Sequence, residues 1–258
     1  MGKPKVVVLR TAGTNCDYET AFAFERVGAI AALVHINQII HKEKSLLDYD
    51  ILAIPGGFTY GDDISAGKIL ANELKYILKE KLGNFVKNKR PVIGICNGFQ
   101  VLVKAGLLPG NGFFQKVTLT YNDSGRFEDR WVYLKIVTSK CIWTTGLPEI
   151  IELPVAHGEG KFIGDKEVIE KLKQNGQIVF QYVDEKGNLR GYPYNPNGSL
   201  ENIAGICDET GLILGLMPHP ERHIEYFQHP RWTREGRSGE GDGLQVFRNG
   251  VNYVKRYL

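Results

Sequence analysis

Two short stretches of the chain carry residue types that could do chemistry together. The first is PVIGICNGFQ, residues 91–100, where the apolar run Pro91–Ile95 ends at Cys96 and Asn97, Gly98 and Gln100 follow at once. The second is GLMPHPER, residues 215–222, where His219 stands between Pro218 and Pro220, with Glu221 two residues on. A thiol at a strand-to-helix junction gains twice from the helix. Its positive end favours thiolate, and its free N–H groups can hold an oxyanion that forms beside the sulfur. Gly94 and Gly98 flank Cys96 two residues to either side and permit the tight backbone of a nucleophile elbow. The same pattern also suits a small core cysteine, since cysteine is among the residue types most often buried.

A nucleophilic cysteine needs a base, and six histidines are available: His35, His41, His157, His219, His223 and His229. His219 follows an apolar strand-like run, so it too belongs at a strand end. Each flanking proline fixes its own φ and pushes the residue before it out of the helical region, which makes the segment rigid and extended. In extended chain, residues two apart project to one side, so His219 and Glu221 can serve as a base and its orienting carboxylate. The competing reading is a surface loop with a solvated His–Glu pair. The stretch IPGGFTYGDD supplies a third element, since Gly56 and Gly57 directly after a strand can turn a backbone N–H toward a substrate oxygen. Alone it is an ordinary glycine-rich turn; the three loops together are far more specific.

These loops need a scaffold that brings them together. Lys5–Leu9 is a continuous β-branched run, the pattern of a parallel strand buried on both faces. Further strands are expected at 31–36, 49–54 and 91–95, with helices at 18–27, 64–86 and 98–105. Alternating strands and helices imply a parallel sheet covered on both sides, with ligands beyond the carboxyl ends of the strands. TAGTNCD, PGGFTYGDD and CNGFQ all lie at such ends. From Gly112 the texture changes to strands at 117–120, 131–137 and 177–183 joined by Gly, Asn and Asp turns. A hairpin is expected with strands at 203–207 and 212–216, turning at residues 208–211. Residues 222–243, rich in Gly, Arg and Glu, read as a long loop, and 243–257 as a terminal helix. The fold class is therefore α/β: one domain over 1–258, a mostly parallel flavodoxin-like or Rossmann-like sheet flanked by helices, with an added antiparallel region.

Composition narrows the function. A length of 258 residues, 43% hydrophobic and 24% charged, is ordinary for a globular protein with a sizeable core. The net charge of +3 gives no reason to expect nucleic acid or an anionic membrane as partner. Cys16, Cys96, Cys141 and Cys207 form no CxxC pair, which removes the zinc-ribbon and thioredoxin readings, and no metal site is expected. The opening MGKPKVVVLR enters a strand directly, unlike a signal peptide, and no apolar run approaches the ~18 residues of a membrane span. The expectation is a cytoplasmic protein with reduced thiols. Cys16, at the carboxyl end of the first strand near the site, could be a second reactive thiol, but it is read as structural because no histidine accompanies it, and Cys141 and Cys207 are read as core. His157 could line a pocket, contact a partner or be structural. Arg126, Arg130 and Trp131 could be a docking face or a solvated strand.

GICNGFQ, the Gly56–Gly57 turn and the late HPE together resemble the class I, triad-type glutamine amidotransferases. GTNCDYET, PGGFTYGDDISAGKI, GICNGFQVLVKAGLLPG, NDSGRFEDRWV, PVAHGEGKF and GLMPHPER narrow the resemblance to the PurQ family, the glutaminase subunits of phosphoribosylformylglycinamidine (FGAM) synthase, over about Lys5 to Arg222. The resemblance implies that Cys96 attacks the side-chain amide of L-glutamine, that His219 moves the proton and that Glu221 orients His219. It implies an oxyanion hole from the Asn97 N–H and one N–H of the Gly57–Phe58 turn, with Gln100 and the Gly56–Gly57 loop holding substrate. It implies no cofactor in this chain, ATP and Mg on a partner synthetase (PurL) that converts FGAR to FGAM in purine synthesis, and a small third subunit (PurS). The sequence departs from that family at Thr11-Ala12, where an aromatic and a proline are usual, at Ser65, where a longer and often basic residue is expected, and at Lys161, where arginine is usual. Its loop 222–243 is also longer. Rival functions are another cysteine hydrolase of this architecture, protease-like or glyoxalase-like, and a non-catalytic regulatory subunit.

Overall fold

Strands that are apolar on both faces need cover on both sides, and the amino-terminal half supplies it by alternation. In the computed structural model, which describes residues 2–110, 112–137 and 140–258, β1 (Lys5–Arg10), β2 (Ile30–His35), β3 (Ile51–Ile54) and β4 (Val92–Ile95) alternate with helical segments. These are α1 (Asp17–Arg26), α2 (Ile36–Ile40), α3 (Lys68–Asn72) and α4 (Lys79–Lys87), and α5 (Asn97–Ala105) follows β4. The carboxyl-terminal half adds β5 (Val117–Thr120), β6 (Glu128–Ile136), β7 (Ile150–His157), β8 (Lys161–Gly164), α6 (Lys166–Gln174), β9 (Ile178–Val183), β10 (Ile203–Cys207), β11 (Ile213–Leu216) and α7 (Leu244–Tyr257).

Among the described residues nine strands form one sheet in the order β2–β1–β3–β4–β11–β10–β9–β6–β7. The first five are parallel and the last four continue the sheet antiparallel, while β5 and β8 pair separately. This is the expected α/β class with its antiparallel addition. The β10–β11 hairpin sits where the sequence puts it, and its return strand inserts β11 beside β4. That insertion sets the site. Ile54 is level with Gly94 across β3 and β4, and Gly94 and Ile95 are level with Gly215 and Leu216 across β4 and β11. The loops after β3, β4 and β11 therefore leave the sheet at one height.

Three glycines let α5 lie directly on these strands. A Cβ at Gly98 would fall 1.9 Å from the Ile54 carbonyl oxygen, one at Gly94 2.5 Å from the Leu102 side chain, and one at Gly215 2.1 Å from the Phe99 ring. The core around them is apolar and closed: Val6–Val8, Ile51–Ile54, Phe99, Leu102, Leu214 and Leu216 are all buried. Each such aliphatic side chain contributes about 1.5–3 kcal/mol by leaving water.

The structure departs from the sequence reading in places. The helix expected over 64–86 starts only at Lys68, because Ile64 and Gly67 have left-handed φ of 72° and 71° and belong to the preceding loop. Gly67 must also stay bare, since Val101 of α5 packs where its Cβ would be. A wide-turn segment, Glu73–Ile77, then interrupts the helix before α4. Strand β6 begins at Glu128, three residues before its expected start, and β7, β8, α2 and α6 have no counterpart in the reading. Pro154 obscures β7, because proline cannot donate to a ladder. It is tolerated because β7 is the sheet edge. Only Ile169 and Leu172 of α6 are buried, too few to mark a helical face. Among the described residues no helix is long and apolar enough to cross a membrane.

Gly98→Ala should lower stability by about 1–3 kcal/mol, the cost of forcing atoms into a filled core. Urea unfolding followed by circular dichroism measures it. A midpoint equal to that of the parent protein would show that α5 can retreat from β3 freely.

Candidate active site

Cys96 sits at the turn between β4 and α5 with φ 50° and ψ −105°, a conformation that side chains rarely adopt. Such a residue stores about 1–3 kcal/mol and persists only when its surroundings dictate it. Here its N–H donates to the Leu216 carbonyl at 2.8 Å, and its own carbonyl accepts from Phe99 and Gln100 in the first turn of α5. The thiol is buried and faces the Ala156 carbonyl of β7 at 3.7 Å. α5 starts at the next residue, Asn97, and that end of the helix carries N–H groups without helical partners.

His219 follows β11 on an extended backbone (φ −105°, ψ 91°), and its N–H donates to the Pro154 carbonyl of β7 at 2.8 Å. Its Nδ1 lies 2.6 Å from Glu221 Oε1, and both side chains are buried. The prolines thus do what the sequence suggests, with one difference: Pro220–Arg222 makes a single tight turn that brings Glu221 back onto the imidazole. Burial alone would push the His219 pKa down. The Glu221 carboxylate and contacts with the Cys96 and Cys16 thiols outweigh it and hold the pKa well above the usual imidazole value. Nε2 is buried and bonds no acceptor. The imidazole therefore carries its second proton on the side of the thiols, where a leaving amine could collect it.

The groups meet over Gly56. A Cβ there would lie 2.8 Å from His219 Cε1, 3.1 Å from Cys16 Sγ and 3.4 Å from Cys96 Cβ. This corrects the reading of Cys16 as a structural thiol with no histidine nearby. Chain order hides the neighbour, because β1 and β11 are far apart in sequence and His219 reaches Cys16 across the ends of β3 and β4. Cys16 receives a hydrogen bond from Arg222 Nη2 at 3.1 Å and donates to Asn15 Oδ1 at 3.2 Å. Burial pushes its thiol up to about 11, against the pull of His219 and Arg222. Arg222 in turn pairs with Glu19 at 2.9 Å. A glycine-packed sheet edge beside a strand-end thiol was the available signal for Cys16; Arg222 had none beyond its place after HPE.

The remaining candidates divide. Gly57 has φ 138°, which favours glycine, and the Phe58 N–H is committed to the Gly13 carbonyl at 2.9 Å. Of the two N–H groups considered in this turn, only that of Gly57 is left free of a protein acceptor. Phe58 is half exposed and packs loosely on Phe127, ring centroids 6.4 Å apart. The Asn97 side chain braces the loop: Oδ1 accepts from Thr59 Oγ1 at 2.7 Å, and Nδ2 donates to Asp62 and to Gln100 Oε1, each at 3.0 Å. Gln100 Nε2 donates to the Glu159 carbonyl at 2.5 Å. Both ends of its amide are thus engaged by protein, and Gln100 braces α5 against the loop after β7. His157 is buried, with Nδ1 3.2 Å from Asn122 Oδ1 and Nε2 unpartnered. Burial and then the charge of His219 hold its pKa down at about 3, so it stays neutral beside the site.

Trp131 is covered within the chain, edge-on to His223 and His229 at 4.9 and 4.5 Å. Arg130 pairs with Glu128 and lies 4.9 Å over the Tyr192 ring. The long loop is no loose insertion. It is tied to buried Glu152 of β7 by Arg231 at 2.7 Å, by Arg237, and by His229 at 3.2 Å. Ser65 accepts from Lys104 Nζ at 3.0 Å, so a basic group reaches that position from α5.

Residues 3–254 match the model of the CobB/CobQ-like glutamine amidotransferase domain. The phosphoribosylformylglycinamidine synthase subunit PurQ of Dehalococcoides mccartyi is 51% identical, over 99% of this chain and 100% of that protein. The PurQ subunit of Archaeoglobus fulgidus is 45% identical over 98% and 97%. Among solved structures, a chain of PurLQS from Thermotoga maritima superposes with a TM-score of 0.76 at 31% identity, covering 98% of this chain and 100% of that one. The glutaminase domain of Trypanosoma brucei CTPS, at 15% identity and TM-score 0.57, shares the fold.

Gly56→Ala should leave the far-ultraviolet spectrum intact and cut turnover by at least about 100-fold, since displacing a reacting group by an ångström costs that much. Near-wild-type turnover would mean that the three side chains do not need the bare face. At His157 the unfolded chain binds a proton with ordinary imidazole affinity, near pH 6.5, and the folded chain does not until about 3. Stability should therefore fall with decreasing pH below about 6.5, by up to about 1.4 kcal/mol per unit. Urea midpoints between pH 4 and 7 should show a shallower dependence in His157→Gln; identical slopes would assign the loss to other groups.

Proposed function

The chain belongs to the glutamine amidotransferases, among the PurQ glutaminase subunits of phosphoribosylformylglycinamidine synthase in purine biosynthesis, and from that premise we propose that Cys96, His219 and Glu221 carry the hydrolysis of L-glutamine. The Cys96 S–H proton passes to His219 Nε2 as Sγ attacks the side-chain amide carbon, and the carbonyl electron pair moves onto oxygen. The Asn97 and Gly57 N–H groups meet that oxyanion. Collapse breaks the C–N bond, and His219 delivers the proton that makes ammonia the leaving group. A water, deprotonated by His219, then attacks the thioester, the C–S bond breaks as His219 returns the proton to Sγ, and glutamate departs. Glu221 keeps Nδ1–H fixed so that every proton moves through Nε2. The observation that carries this reading is the meeting of Cys96 and His219 on the bare face of Gly56.

Gln100 and the Gly56–Gly57 loop act on substrate mainly by shaping the pocket. The ammonia passes to an ATP- and Mg-dependent PurL-type synthetase subunit that turns FGAR into FGAM, with a PurS-type small subunit completing the assembly in the cytoplasm. The chain needs no cofactor of its own, no nucleic acid and no membrane, and residues 1–258 act as one amidotransferase domain. A protease-like or glyoxalase-like hydrolase would act without glutamine, and a regulatory subunit would not act at all; ammonia release from glutamine set against peptide cleavage separates the three.

Cys96→Ala should abolish ammonia release from glutamine in the assembled enzyme while leaving the unfolding midpoint close to wild type. Retained turnover would refute the assignment of the nucleophile. Glu221→Ala should retain at least about tenfold more kcat than His219→Ala, because an orienting group is less critical than the proton carrier. Equal losses would overturn that division of roles. Assays with and without the synthetase and its substrate show whether the subunit waits for its partner.

A further inference from the structure

Residues 158–160 turn the chain from β7 into β8, and this segment touches the site at two points. Just before it, the Ala156 carbonyl faces Cys96 Sγ at 3.7 Å, and within it the Glu159 carbonyl accepts from Gln100. One buried residue, Asn122, holds the turn together. Its backbone N–H donates to the Gly158 carbonyl at 3.0 Å. Its Nδ2 donates to the carbonyls of His157 at 2.8 Å and Arg126 at 2.9 Å. Its Oδ1 accepts the Gly160 N–H at 3.0 Å and lies 3.2 Å from His157 Nδ1.

These partners leave the amide one orientation, because a backbone N–H only donates and a carbonyl only accepts. Oδ1 is therefore an acceptor at His157 as well, and the proton of the neutral imidazole must sit on Nδ1. Nε2 is left as a bare lone pair, buried and without a hydrogen-bond partner. The ring is held in place by Gly160, where a Cβ would fall 2.3 Å from His157 Cε1 and 2.7 Å from Nε2. Gly160 is gripped on its other side too, since Asn197 Nδ2 donates to its carbonyl at 2.9 Å. Burial and then the charge of His219 keep the His157 ring neutral, so its tautomer is the property that Asn122 decides.

We propose that Asn122 is a positioning residue for glutamine hydrolysis: it locks His157 as the Nδ1–H tautomer and pins the turn so that the Ala156 and Glu159 carbonyls stay at Cys96 and Gln100. It acts through the turn, whose displacement would shift the neighbour of the thiol and the Gln100 brace together. The side-chain amide has no capacity to spare, with two bonds donated and two accepted, and a buried network satisfied in this way holds one arrangement. The effect on catalysis rests on the glutaminase reading above; the tautomer lock does not.

The lock is read in the wild-type chain by nitrogen NMR with isotope-labelled histidine. The His157 signals, identified by their loss in His157→Gln, should show the proton on Nδ1 and a bare Nε2 at neutral pH, and in Asn122→Ala the two tautomers should mix. A proton on Nε2, or a mixture already in the wild type, would overturn the lock. Catalysis is read in the assembled enzyme. Asn122→Ala and the isosteric Asn122→Asp, which keeps an acceptor but loses both Nδ2 donations, should each lower kcat for glutamine at least about tenfold, because small misplacements beside reacting groups are costly. With ammonium supplied in place of glutamine both should match the parent, which separates lost positioning from lost fold or assembly. His157→Gln combined with Asn122→Ala should lose no more than the larger single loss, since residues that act as a unit are not additive. Unchanged kcat, additive losses or an equal loss with ammonium would overturn the positioning role. A parent enzyme that released no ammonia from glutamine would count against the glutaminase reading alone.

Discussion

The lateral register of β3, β4 and β11 is the constraint on which the site depends. Cys96 can hold its strained dihedrals because its N–H is fixed to the Leu216 carbonyl at the end of β11. The same strand, two residues later, runs into the Pro-His-Pro segment. One hydrogen bond thus binds the backbone of Cys96 to the segment that carries His219. A slip of one residue between β4 and β11 would turn every side chain on one strand to the opposite face and would separate thiol from imidazole.

Close approach of backbones is the second condition. Gly94, Gly98 and Gly215 let α5 sit on the strands with no side chain between, and Gly56 leaves the floor on which Cys96, Cys16 and His219 meet. Space denied to a side chain at Gly56 is space around which the candidate groups gather. The polar residues around them are braced, not free: Asn97 joins Thr59, Asp62 and Gln100, and Gln100 joins the loop after β7. Such a network holds the walls of a pocket in one arrangement because each buried polar atom already has its partner.

The edge strand β7 links the site to the long loop. Its Pro154 carbonyl accepts the His219 N–H, its Ala156 carbonyl faces Cys96, and its Glu152 carboxylate gathers Arg231, Arg237 and His229 from the loop. The loop thereby covers a sheet edge that would otherwise be open. It also sets Trp131 against two histidine rings.

The residues of the candidate catalytic set and the α/β class were nominated by local signals in the sequence: a thiol ending an apolar strand, prolines fixing an extended His–Glu pair, and β-branched runs alternating with helical periods. The tertiary structure alone decided which of those groups meet, because contact between Cys96, His219 and Cys16 depends on β11 inserting next to β4, a pairing between segments more than a hundred residues apart. It decided that the Phe58 N–H is spent on Gly13 and the Gly57 N–H is not, and that Gln100 is a brace, because hydrogen-bond partners are set by neighbours across the fold. Cys16 shows the difference most clearly. Its sequence neighbours offer no histidine, and strand order supplies one.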